Sequence, residues 1–277
     1  MRRSLRRSLD CGILSRQGGV RAGNSMIEHT PLVIAIAVVA AFLVGLSKGG
    51  LPMVGTISVP LLALVISPVT AAALLLPIYV ASDMVGLYLY RRDFSRRNLA
   101  ILTPAALFGV FLGWLFSAHL SSVVIGALVG LVGVLFCFNI WFGARYRKAA
   151  READVPGGLF WGTLTGLTSF VSHSGAPPYQ MYVLPQRLEK MTFAGTSTIL
   201  FAIVNVAKIL PYWQLQQFSN YDTSLVLWLA PAAIIGTVAG RRLTLIIPDG
   251  LFFKIVQFTL MILSIKLIAD YVMTLVP

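Results

Sequence analysis

Two short polar interruptions inside long apolar runs constrain this chain more than any other feature. The first is Gly45-Leu46-Ser47-Lys48-Gly49-Gly50-Leu51-Pro52, and the second is Ser172-His173-Ser174-Gly175-Ala176-Pro177-Pro178. Each sets a lysine or histidine beside glycine and proline where the flanking sequence is greasy. Around them 57% of the residues are hydrophobic and 12% charged, with a mean hydropathy of +0.82. A soluble domain carries about a quarter charged residues, so the chain reads as an all-α membrane protein. Backbone released from a helix in hydrocarbon costs several kcal/mol per unsatisfied group, so it persists only against protein or a water-filled cavity. Both breaks therefore imply a cavity.

Ten apolar segments can be marked, near 31–46, 52–66, 69–90, 98–117, 121–143, 156–171, 177–186, 191–212, 222–240 and 250–276. A crossing needs about 20 residues for a core of about 30 Å. The second and seventh segments fall short, so the first pair and the sixth–seventh pair read as broken or re-entrant helices. Six segments remain as full crossings. Arg91, Arg92, Arg96 and Arg97, then Arg145, Arg147, Lys148 and Arg151, then Arg187 and Lys190, then Arg241 and Arg242 fill alternate loops. If each broken pair returns to the side it entered from, all these loops share one face, and the positive-inside rule makes that face cytoplasmic. Basic residues confined to loops also argue against a nucleic-acid partner.

Residues 1–25 hold Arg2, Arg3, Arg6, Arg7, Arg16 and Arg21 against Asp10. No apolar signal core follows them, and they read as a disordered extension or an over-extended start, with the initiator at Met26. An internal repeat organises the remainder. Pro104-Ala105-Ala106-Leu107-Phe108-Gly109 and Gly113 recur as Pro231-Ala232-Ala233-Ile234-Ile235-Gly236 and Gly240, at an offset of 127. Gly50, Pro52 and Pro60 match Gly175, Pro177 and Pro185 at an offset of 125. The expected organisation is a first transmembrane repeat at 26–143, a basic cytoplasmic linker at 144–155 and a second repeat at 156–277. With an odd number of segments each, the repeats should form a polytopic bundle of two inverted halves, an arrangement common among secondary transporters.

Pro52 and Pro177 suit the first turn of the half-helix after each break. Two helix N-termini would then meet, each with partial positive charge and free N–H groups, a setting for an anion. Ser47, Lys48, Gly49, Gly50 and Pro52, with Ser172, His173, Ser174, Gly175 and Pro177, are the candidate substrate-binding residues. Small residues that only permit close packing, with Lys48 snorkelling to an interface, are the plainer alternative. Asp83 and Lys208 share the 125 offset and are candidates for gating or coupling, facing each other as a pair, with Asn205 beside them. Lys266 and Asp270, an i,i+4 pair, read as structural. Cys11 and Cys137 lack metal-ligand spacing, and no catalytic motif or cofactor-binding fingerprint is present. The expected partners are a small anion and membrane lipid, with no cofactor and no metal. Coupling to a proton or sodium gradient and the oligomeric state stay open.

The stretch GLSKGGLPMVGTISVPLLAL (45–64), the loop YRRDFSRRNL (90–99), the block PAALFGVFLG (104–113) and its second copy resemble the TauE/SafE sulfite exporter family. The resemblance covers about residues 31–276. It implies a multi-pass protein of the bacterial inner membrane that exports small sulfur-containing or organic anions such as sulfite or organosulfonates. A passive anion channel and a membrane accessory protein without transport are the alternative readings.

Overall fold

The computed structural model describes residues 30–52, 54–117, 122–142, 150–216, 218 and 223–275. The extension 1–25, Met26, and Arg145, Arg147 and Lys148 of the linker lie outside the described residues. Among the described residues ten α-helices follow one another: α1 Pro31–Lys48, α2 Gly55–Leu62, α3 Pro68–Leu89, α4 Arg96–Leu115, α5 Ser122–Phe142, α6 Val155–Ser172, α7 Ala176–Val183, α8 Lys190–Gln214, α9 Thr223–Ile246 and α10 Asp249–Leu275. A 3-10 turn, Leu184–Gln186, extends α7, and no strand occurs among the described residues.

Capping chemistry starts the long helices. Thr30 accepts the Val33 N–H at 3.4 Å, and Pro31 fills the first turn of α1, where a missing N–H costs nothing. Asp154 does the same for α6, accepting from Gly157 at 2.8 Å. Ser67 and Ser95 cap α3 and α4. Each such cap stabilises its helix by about 1 kcal/mol.

Among the described residues seven helices are long and apolar enough to cross a membrane, one more than the sequence led us to expect. The addition is α1, read as half of a broken pair; its 18 residues reach about 27 Å at 1.5 Å per residue. The equally long α6 is not among the seven, because glycines and hydroxyl residues dilute its apolar content. As expected, α2 and α7 are short, at 8 residues each. Between them and their long partners the chain turns at Gly50, with φ +122°, and at His173, with φ 54°.

The repeated block acts as a packing surface. In α9, Ala233, Gly236 and Gly240 lie against α1; in α4, Ala106, Gly109 and Gly113 lie against α6. A Cβ on Gly45 would run into the Ala233 carbonyl, and one on Gly166 into the Ala106 carbonyl. Likewise Gly236 abuts the Phe42 carbonyl and Gly109 the Thr163 carbonyl. Such backbone-to-backbone contact is what small residues provide where lipid removes the hydrophobic drive for helix association. Both broken helices are thus clamped by the other half of the chain.

These contacts also correct the register. Gly45 with Gly166, and Phe42 with Thr163, are 121 positions apart, not 125. The starts of α2 and α7, Gly55 and Ala176, are separated by the same 121. On that register Lys48 corresponds to Ser169, and His173 corresponds to Pro52. The second helix runs about one turn further past its crossing before it breaks.

Described basic residues of the loops gather at one end of the bundle. There Arg151 N–H donates to the Pro185 carbonyl, Arg241 approaches Asp93 at 3.5 Å, and Lys190 reaches the Ile247 carbonyl at 2.7 Å. Asn98 and Gln186 exchange amide hydrogen bonds at 2.8 and 3.1 Å and tie α4 to the 3-10 turn. The bundle's outer surface is apolar, with Trp228 81% exposed and Leu227, Phe142 and Ile246 similarly open.

Candidate functional site

The two breaks meet. A cavity of about 30 Å³ lies between them, lined in the first half by Ser47, Lys48, Pro52, Gly55 and Tyr79. From the second half come Ser169, His173, Ala176, Phe201 and Asn205. The first residues of α2 and α7 therefore face one small space. It is large enough for a water molecule or two.

Lys48 does not snorkel. It is 5% exposed, and its ammonium sits 2.8 Å from Asp83 Oδ1. The rings of Tyr79 and Phe201 lie 5.1 and 5.7 Å from it, cation–π contacts that help hold a charge away from water. Asn205 donates to the other oxygen of Asp83 at 2.8 Å. The expected Asp83–Lys208 pair does not form, because Asp83 is already engaged by Lys48 and Asn205.

Lys208 is held instead by its own half. Its ammonium lies 3.1 Å from the Ser169 carbonyl, 3.2 Å from Ser169 Oγ and 3.3 Å from His173 Nδ1. An ammonium has three donors and no acceptor, and three acceptors surround this one. With an ammonium at Lys208, His173 Nδ1 accepts and a neutral ring carries its proton on Nε2, 3.1 Å from the Tyr212 hydroxyl. Tyr212 passes its own proton to the Phe170 carbonyl at 3.0 Å. An uncharged Lys208 amine satisfies the same contacts with the proton on His173 Nδ1 and the Tyr212 hydroxyl donating to Nε2, so the tautomer follows the charge on Lys208. Tyr79 stacks on His173 with ring centroids 5.5 Å apart and donates to the Gly55 carbonyl at 2.7 Å.

On the side away from the basic end, a vestibule of about 650 Å³ leads to the same place. Pro60 and Leu64 of the α2 region, Ser117, Gly126, Leu267 and Asp270 line its mouth. Ser172, His173, Ser174 and Tyr212 form its floor. His173 thus borders both the vestibule and the inner cavity. Lys266 and Asp270 form the expected ion pair and border the vestibule as well.

Towards the basic end the first break is shut. Tyr90, fully buried, donates to the Gly49 carbonyl at 2.6 Å, and Thr244 reaches the same carbonyl at 3.3 Å. The Arg241 guanidinium covers the Tyr90 ring at 4.7 Å. A Cβ on Gly50 would collide with both Tyr90 and Thr244, and its positive φ disfavours any other residue.

Not every predicted residue faces the cavity. Gly49 packs against Thr237, Gly240 and Arg241 backbone, and Gly175 against Phe201 and the Thr165 carbonyl. Ser172 and Ser174 border the vestibule, their hydroxyls donating to the Thr168 and Ser172 carbonyls. Pro177 is in the first turn of α7 as expected, but Pro52 is not in a helix; it precedes α2 by three residues. With Pro177 and Pro178 both lacking N–H groups, α7 offers fewer donors than a helix start usually does. Tyr79, Ser169 and Tyr212 escaped the sequence reading. A signal existed: Tyr79 stands four residues before Asp83, Tyr212 four after Lys208 and Ser169 four before His173, the spacing of one helix face.

The described residues contain no group of three or more His, Cys, Asp or Glu that could hold a metal. No curated protein and no solved structure matches the chain. A protein-family comparison does, over nearly the whole described bundle. The chain belongs to the sulfite exporter TauE/SafE family, a family of membrane transporters and not of enzymes, whose sequence model matches residues 33–267.

Proposed function

We propose that the protein is a secondary transporter that exports small sulfur-containing or organic anions, such as sulfite or an organosulfonate, across the bacterial inner membrane by alternating access. The observation that carries this reading is the small cavity at the junction of both breaks, with Lys48 in its lining. Its cation, hydroxyls and two helix starts suit an anion rich in acceptor oxygens. The basic end is the cytoplasmic face in this scheme. The conformation described is then outward-facing, with a vestibule outside and Tyr90, Thr244 and Arg241 closing the inside. Two inverted halves would exchange these roles by rocking. The matched helix lengths and reciprocal clamping of α1 by α9 and α6 by α4 support that relation.

Proteoliposomes loaded with sulfite or methanesulfonate supply the test. Saturable efflux that accelerates with anion on the far side, and that Lys48→Met abolishes, is the expected result. Unsaturable flux without exchange would instead make the protein a channel. No flux above empty vesicles would favour an accessory role.

A further inference from the structure

Resting on that reading of the site, we propose a second anion subsite one helical turn from the Lys48 cavity towards the basic end, with the Gln180 amide and the Ser197 hydroxyl as its donors. Among the described residues Gln180 is the one side chain with two buried polar atoms, Nε2 and Oε1, that lack a hydrogen-bond partner, and it is 0% exposed. Ser197, also buried, leaves its Oγ unpartnered, whereas its neighbour Thr196 donates back to the Thr192 carbonyl at 2.6 Å. A buried polar group without a partner destabilises the fold that holds it. Two such groups along one route are explained by a polar species that meets them when the route opens.

Both lie between the cavity and the shut end. Gln180 follows the cavity-lining Ala176 by four residues, one turn further along α7 on the same face. Ser197 precedes the cavity-lining Phe201 and Asn205 by four and eight residues and shares their face of α8. One turn nearer the basic end, Ala194 borders Gly50, where Tyr90 and Thr244 close the first break. The two helices meet at this depth. The Tyr179 ring of α7 contacts Phe193 and Phe201, which flank Ser197 on α8, with centroids 5.6 and 5.9 Å away. Its hydroxyl donates to the Phe193 carbonyl at 2.9 Å and bridges the turn that carries Ser197. Neither donor of the subsite is charged. They bind an oxyanion of one or two charges through its oxygens and hold it less firmly than the Lys48 ammonium does. An anion arriving from the basic end meets Gln180 and Ser197 first and passes on to Lys48, in the order of increasing attraction.

Membrane vesicles of both orientations, from cells with and without the protein, supply the test. Sulfite and methanesulfonate are exchanged across the bilayer, and the half-saturating concentration is read at each face. Gln180→Leu removes the amide and keeps a side chain of similar size. It should raise the half-saturating concentration at the basic face about tenfold, what one hydrogen bond to an anion contributes, and at least about fivefold more than at the vestibule face. Gln180→Asn, which keeps an amide, should lose less, and Ser197→Ala should shift the basic face about threefold. The melting temperature of purified Gln180→Leu should be unchanged or higher, since an unpartnered amide is gone; a lower one would mean that the amide is partnered in the fold and overturns the subsite. Unchanged half-saturation at both faces, or an equal rise at both, also overturns it while leaving the transporter intact. If Gln180→Leu fails to fold, Ser197→Ala decides, and no shift or an equal shift at both faces overturns the proposal. Absence of wild-type flux in either orientation overturns the transport reading, and the subsite falls with it.

Discussion

The two breaks share a scaffold and differ in what they carry. Both follow an 18-residue helix, both are clamped by the Ala-x-x-Gly face of the other half, and both lead into an 8-residue helix. Yet α1 ends at Lys48, with the chain from 49 to 54 reaching α2, whereas α6 continues one more turn and needs only 173–175 to reach α7. On the 121 register Lys48 answers to Ser169, which contacts Lys208 as Lys48 contacts Asp83, although Asp83 itself answers to Val204. The cation has moved from the breaking helix to the long one, and the carboxylate has no counterpart. The extra turn delivers His173 to the vestibule floor, while Gly49 and Gly50 of the shorter half are shut against the basic end. Two similar clamps thus support an asymmetric site, and the asymmetry is electrostatic.

Removing Lys48 tests the charged half of the comparison and carries the largest expected effect. Lys48→Ala leaves Asp83 buried with Asn205 alone, and breaking one partner from a buried pair costs about 3–5 kcal/mol. Thermal unfolding in detergent should show that loss, and transport should vanish. The double variant Lys48→Ala/Asp83→Ala should recover much of the stability and none of the transport. If the double variant is no more stable than the single, the pair is not what Lys48 contributes.

The clamps test the symmetric half. Gly45→Ala and Gly166→Ala each push a methyl into a backbone carbonyl, at Ala233 and Ala106. Backbone cannot step aside as a side chain can, so each should cost about 3 kcal/mol, the upper end of ordinary overpacking. Similar losses in chemical or thermal unfolding would support the 121 register. A tolerated Gly166→Ala beside a damaging Gly45→Ala would break it.

Membership of a membrane all-α class was legible from composition, and both breaks from single Gly, Pro and basic residues. The register was not, for a physical reason. Gly50-x-Pro52 and Gly175-x-Pro177 look alike because glycine and proline punctuate any helix end, but one precedes its short helix and the other enters it. Matching punctuation therefore hid the extra turn of α6. The 125 offset also suggested that Asp83 and Lys208 would face each other, when Asp83 is engaged by Lys48 of α1 and Asn205, and Lys208 by Ser169 of α6. Tyr79 and Tyr212 were passed over because aromatic residues in apolar helices are commonly packing. Only the fold shows that their hydroxyls serve the Gly55 and Phe170 carbonyls at the breaks.

Ser169→Ala probes the swapped contact with a smaller perturbation. It removes one of three acceptors around the Lys208 ammonium and keeps the backbone carbonyl. A hydrogen bond to a charged group contributes about 1.5–3 kcal/mol, so a stability loss near 2 kcal/mol is expected. Anion affinity should fall far less than in Lys48→Ala, because Ser169 serves the charge behind the site. An affinity loss as large as that of Lys48→Ala would make the two halves' contacts functionally equal, contrary to the asymmetry described.

The smallest effect is expected at the closed end. Tyr90→Phe deletes one hydrogen bond to the Gly49 carbonyl, which keeps its contact from Thr244 at 3.3 Å. The net loss is about 1 kcal/mol, enough to change a two-state ratio about fivefold. Since the bond exists only while the basic end is shut, the change should favour opening there. With Cys11 and Cys137 replaced, Ser47→Cys reports on the first break and Ser172→Cys on the vestibule floor. A membrane-impermeant thiol reagent applied from the basic side should label Ser47→Cys about five times faster in the Tyr90→Phe background. Labelling of Ser172→Cys from the vestibule side should slow, because opening one end draws population from the other. Faster labelling at both positions would mean that Tyr90→Phe loosens the bundle generally, and the two ends would then not be opposed.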